Sequence, residues 1–200
     1  MTGWSTWAAP PVSVDLPPGW TVLRTAADDL DAQVTALLLA QLPDDAAPQL
    51  RAEVAEQWRQ VARVSAAAGA VLAGFGAAAD PGAGQLVSAS VLVAPQRWYR
   101  SDPAETELQG PQDRLRSPAG AMERALRLVR AASPLGPLAE VVAEYTVTPP
   151  TGDAWTLVFR TPAVRHLEEL VAVFDAVAAS LRVAAPAPPP AGEDDGPAFS

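Results

Sequence analysis

Two alternating segments in the C-terminal half constrain this chain more than anything else in it. In LAEVVAEYTV, residues Val141, Ala143, Tyr145 and Val147 fall on one face; in AWTLVFR, Trp155, Leu157 and Phe159 do the same. A period of two is the period of a half-buried strand. Between them, Thr148-Pro149-Pro150-Thr151-Gly152-Asp153 is built of turn residues. The pair predicts an antiparallel hairpin, with the aromatic face of the second strand meeting Tyr145 and Val147 across the ladder. Such a face needs a cover, and one follows at once. Leu167, Leu170, Val171, Phe174, Val177, Ala178 and Leu181 form a single helical stripe, behind Thr161 as N-cap and Pro162 in the first turn. Apolar residues at that spacing cover a sheet; they do not build a site.

The same periodicities organise the rest. VSVDL puts Val12, Val14 and Leu16 on one face, and Trp20 and Val22 resume the alternation after Pro17-Pro18-Gly19. Thr25 to Asp28 reads as a capping-box variant ahead of a helix with Leu30, Val34, Leu37, Leu38 and Leu42 on its stripe. A second helix is expected from about Pro48 to Ala67, with Leu50, Val54, Trp58 and Val61 inward. Two strands follow, AVLAGFGAAAD and QLVSASVLVAP, the second apolar on both faces at Val91, Leu92 and Val93, as in a central strand. Gln96 to Arg116 reads as irregular, and Ser117-Pro118 as the start of a third helix with Met122, Leu126 and Val129 inward.

The 200 residues, 49% of them hydrophobic, suffice for one domain with a substantial core. Its expected extent is 11–183, behind a flexible segment 1–10 and ahead of a disordered Pro-rich, then acidic tail, 184–200. The expected fold is α+β, an antiparallel sheet of about six strands with helices packed on it.

Composition removes several chemistries. There is no cysteine, so disulfides, thiolate nucleophiles and Cys-ligated metals are excluded. A net charge of −9 opposes nucleic acid and anionic membranes as partners. The first residues lack the pattern of a signal peptide, and no apolar run approaches a membrane span, so a cytoplasmic location is expected. His166 is the single histidine and no Gly-x-Ser-x-Gly elbow is present, which leaves a nucleophilic triad without its parts; His166 reads as a surface residue. GFGAAAD resembles a dinucleotide fingerprint, but Asp80-Pro81-Gly82 leads into another strand instead of a helix N-terminus, so the glycines read as a place of close packing. Glu140 and Glu144 share a strand face and read as its polar edge rather than an acid–base pair. No catalytic residue, metal ligand or cofactor site is assigned.

The arginines offer the one functional signal. Half of them lie between Arg97 and Arg130, and Arg124, Arg127 and Arg130 step by three along the predicted third helix. With Trp98 and Tyr99 they would form a docking patch for an acidic protein partner, aromatic anchors beside charge-assisted contacts.

Three pieces resemble the PsbP-like family of antiparallel α/β/α sandwiches: VSVDLPPGW, the hairpin EYTVTPPTGDAWTLVFRTP, and LEELVAVFDAVAASLRV with its late Phe-Asp-x-Val-x-x-Ser-Leu. The family includes several small actinobacterial proteins. The resemblance implies a binding or assembly module without catalysis. The function expected is thus a protein-interaction module, an accessory, adaptor or assembly factor in a bacterial cytoplasm. Two alternatives stand beside it: a carrier for a small apolar ligand lined by Trp20, Trp58 and Trp155, and an enzyme using only Arg, Asp, Glu and Tyr.

Overall fold

The alternating segments pair as their periodicity requires. The computed structural model describes residues 3–25, 28–41, 45, 47–79, 86–97, 106–131, 138–150 and 152–184. Strands β1 (Ser5–Ala9), β2 (Val12–Leu16) and β3 (Trp20–Arg24) precede helices α1 (Leu30–Gln41) and α2 (Pro48–Ala67). Six longer strands follow: β4 (Leu72–Ala79), β5 (Leu86–Pro95), β6 (Thr106–Ser117), β7 (Gly120–Ala131), β8 (Leu138–Thr148) and β9 (Trp155–Thr161). A 3-10 turn (Val164–His166), helix α3 (Leu167–Ala179) and the short β10 (Arg182–Val183) close the fold. The fold is α+β. Its main sheet is antiparallel, with seven strands in the order β3-β4-β5-β9-β8-β7-β6, and a second sheet runs β1-β2-β10.

Helix α3 and the small sheet bury one face of the large sheet. Val12, Val14 and Leu16 of β2 join Val91 and Val93, Tyr145 and Val147, Leu157 and Phe159, and Phe174, Val177 and Leu181 in one core. Phe174 lies fully buried, stacked on Phe159 at 4.4 Å, and Tyr145 meets Phe159 edge-on at 5.5 Å. Helices α1 and α2 cover the opposite face over β3 and β4, around Leu23, Val34, Ala55 and Ala62. None of the described helices is long and apolar enough to cross a membrane.

Several expectations are corrected. The predicted third helix is a strand, and β6 occupies part of the segment read as irregular. Residues of AMERALRLVRA are helix formers, but β7 is hydrogen-bonded to β6 on one side and β8 on the other, and these ladders outweigh a preference of a few tenths of a kcal/mol per residue. The chain reverses between β6 and β7 at Gly120, with φ of +144°, where an added Cβ would run into the Thr148 carbonyl. Residues Ser5–Ala9 are not a flexible leader; they pair with β2, and the ordered fold begins before Pro11. Thr25 is no helix cap: its hydroxyl donates to the Ala70 carbonyl. Thr161 is none either, because it ends β9 and donates to the Ser88 carbonyl at 2.7 Å, six residues before α3 begins. Leu50 is exposed; Ala55 and Ala62 carry the buried side of α2. The tail 185–200 lies outside the described residues.

The N- and C-terminal strands are clamped by Asp15. Its carboxylate accepts from Arg182 Nη2 at 2.8 Å and Nη1 at 3.2 Å, and from the Thr6 hydroxyl at 2.5 Å. Its backbone N–H donates to Ser180 Oγ at 2.8 Å. The Arg182 hydrogen bond first, and the Thr6 hydroxyl second, hold the Asp15 carboxyl below its ordinary range. A carboxyl lowered in the folded state stabilises above its unfolded pKa of about 3.9, and that contribution is lost as pH falls through the lower folded value. Asp15→Asn should therefore be less stable than the parent at neutral pH, and the gap should narrow progressively below about pH 4. Urea midpoints of both proteins between neutral and acid pH measure it; a gap that widens toward acid contradicts the clamp.

Candidate functional site

A strand sends successive side chains to opposite faces, so a step of three places neighbours apart. Arg124 and Arg127 accordingly project from opposite faces of β7, and the shared helix face expected for Arg124, Arg127 and Arg130 does not exist. Arg124 points to the α3 side, where its side chain is only 15% exposed. Its Nη1 donates to both oxygens of Asp175, at 2.7 and 2.9 Å, and its Nη2 donates to Asp113. Asp175 Oδ1 also accepts from the Tyr145 hydroxyl at 2.7 Å. Burial opposes the Arg124 charge, but hydrogen bonds to Asp113 and Asp175 outweigh it and raise its pKa. Burial, and then the Asp175 carboxylate, push the Tyr145 hydroxyl above its ordinary value, so Tyr145 stays a neutral donor. This network braces α3 against the sheet.

Arg127 emerges on the other face and donates to Glu144 at 2.6 Å, with 14% of its side chain exposed. Arg130 is exposed near the end of β7, opposite Ala139 of β8. Trp98 and Tyr99 lie outside the described residues. The structure thus does not bring Arg124 and Arg127 to one surface. His166 ends the 3-10 turn, partly exposed.

On the face shared with α1 and α2, cross-strand neighbours run Phe75, Ser90, Arg160, Val142, Arg127 through β4, β5, β9, β8 and β7. Glu140 and Glu144, expected as a polar edge, flank Val142 on this row and pair with Arg160 at 3.7 Å and Arg127 at 2.6 Å. Val129, Val142 and Val158 make a small buried cluster beside them. Where the row passes under α2, a cleft of about 660 Å³ opens, lined by Trp58, Phe75, Ser88, Ser90, Glu140 and Arg160. Trp58 meets Phe75 edge-on, with centroids at 4.8 Å and planes at 77°. A second cleft of about 500 Å³ lies over β6, β7 and β8 among Gln112, Arg114, Glu123, Glu144 and Thr146.

Of the three tryptophans expected to line one ligand site, only Trp58 lines the cleft. Trp20 and Trp155 pack in the core on the far face. The spacing of GFGAAAD follows from that packing: a Cβ on Gly76 would overlap the Trp20 indole and one on Gly74 would come within 2.8 Å of Val91, so side chains, and not a helix, hold the strand close. Among the described residues, no cluster of three or more His, Cys, Asp or Glu could hold a metal ion. Sequence reading missed Phe75, Ser88, Ser90 and Arg160 as site residues. Their alternation was legible, but the gap in the cover that exposes them is a property of where α2 ends up.

No family model matches the chain, and no curated protein matches it. Among solved structures, it is similar to the solution structure of the cyanobacterial PsbP protein of Synechocystis sp. PCC 6803, with 9% identity over 92% of this chain and 94% of that one and a TM-score of 0.41. A likeness at that level assigns neither a family nor a function to this chain.

Proposed function

We propose that this protein is a non-catalytic binding module, an accessory or adaptor protein that engages its partner at the cleft beside α2. The observation that carries this reading is the cleft itself: Trp58 and Phe75 stand on one side, partly exposed, and the serine hydroxyls and the Glu140–Arg160 pair on the other. A concave, mixed surface with aromatic anchors is what a contact of high energy per residue needs. The carboxylate facing it, Glu140, is held in an ion pair with Arg160.

A photo-crosslinking residue introduced at Ser90, on the floor of the cleft, tests this in cells that produce the protein natively. A polypeptide crosslinked at position 90 and not at the exposed Ser5 is the expected result. That polypeptide, identified and purified, should bind the Trp58→Ala variant about 2 kcal/mol more weakly than the parent. Equal crosslinking at positions 90 and 5, or equal affinity for the variant, overturns the reading.

A further inference from the structure

We propose that the cleft beside α2 takes a small aromatic carboxylate, with its ring against Trp58 and Phe75 and its carboxylate on Arg160, Ser88 and Ser90. The inference rests on the reading of this cleft as the binding site and adds the chemistry of what it holds.

The cleft has two unlike halves. One wall is the edge-on pair of Trp58 and Phe75, an arrangement that leaves ring surface for a third aromatic group in offset or edge contact. The other is polar. Ser90 and Arg160 are direct cross-strand partners, and Ser88 lies two residues along β5 on the same face, so three donors converge on one end of the cleft. A guanidinium presents a planar fork of N–H groups matched to a carboxylate. The Arg160 fork is within reach of a ligand, 36% of its side chain being exposed against 22% for Glu140. Glu140 approaches it at 3.7 Å, an ion pair longer than a hydrogen bond. A volume of about 660 Å³ falls within the ordinary range of small-ligand sites.

Charge gives the class a sharp signature. Glu140 and the ligand carboxylate compete for one cation, so neutralising Glu140 must favour an anion and disfavour a cation. An ammonium ligand held over Trp58 by cation–π attraction predicts the reverse.

Indole-3-propionate, its neutral amide and tryptamine are suitable probes, titrated by ligand-observed NMR and calorimetry against the full chain. Saturable binding of the acid is expected, about ten-fold or more tighter than the amide, because a hydrogen-bonded charge is lost in the amide. Trp58→Ala and Arg160→Gln should each weaken the acid by about ten-fold or more. Glu140→Gln should tighten it several-fold, and this gain cannot arise from a damaged fold. Melting curves establish that each variant is folded. Absence of saturable acid binding overturns the proposal. So does tryptamine or the amide binding as tightly as the acid, or Glu140→Gln weakening the acid. If position 90 crosslinks a protein partner while the acid does not bind, the cleft is a protein contact and only this proposal falls. If the crosslink also fails, the reading of the cleft falls with it.

Discussion

Phe174→Ala is expected to lower the stability of the protein by about 3–5 kcal/mol. The ring is fully buried, stacked on Phe159, and sits where α3, β8 and β9 meet. Truncation removes its transfer free energy and leaves a void walled by Phe159 and its neighbours, which belong to strands paired on both sides and cannot collapse into it. Urea unfolding followed by tryptophan fluorescence measures the loss. A midpoint close to the parent's would mean that α3 is not the lid of the core. Phe174→Leu should recover much of the difference, because most of the volume returns.

Asp175→Ala should cost about 2–3 kcal/mol, more than an exposed ion pair and somewhat less than a fully enclosed one, since a third of Asp175 is exposed and Asp113 remains beside Arg124. The loss falls on the groups left behind. Arg124 keeps its charge in a largely buried place, and the buried Tyr145 hydroxyl loses its acceptor. Replacing both partners, Arg124→Met with Asp175→Leu, should therefore be less destabilising than Asp175→Ala alone. The two variants and the single replacements Arg124→Met and Asp175→Leu, compared by urea unfolding with the slope checked for constancy, decide it. A double variant that loses the sum of both single effects contradicts a coupled network. The experiment also bears on the Phe-Asp-x-Val-x-x-Ser-Leu segment of the closing helix. Phe174, Val177 and Leu181 are core, Asp175 ties the helix to the sheet, and Ser180 holds the backbone of Asp15. The spacing is that of a helix fastened at both ends.

Much of the fold was written in local patterns. The period of two in β2, β8 and β9 requires strands with one committed face, and the stripe through Phe174 requires a helix laid on them. Helix α2 has the bounds its sequence implied, Pro48 to Ala67, because Pro at its first turn and its apolar periodicity agree. Where local signals conflict, the tertiary structure decides. Residues 120–131 carry good helix formers and apolar residues at helical spacing, yet also an alternation of Met122, Arg124 and Leu126 against Glu123, Ala125 and Arg127. Local preference favours the helix; two neighbouring ladders, available only once β6 and β8 are in place, make the strand. That choice moved Arg124 and Arg127 to opposite faces and removed the expected patch. The cleft was hidden for a related reason. Alternation tells which residues share a face, but not which part of that face a helix leaves uncovered. The position of α2 over β4, fixed by Trp58 on Phe75 and by Ala55 and Ala62 in the helix-side core, decides that. Contacts within an element follow from its own sequence; a site made by five elements follows only from how they pack.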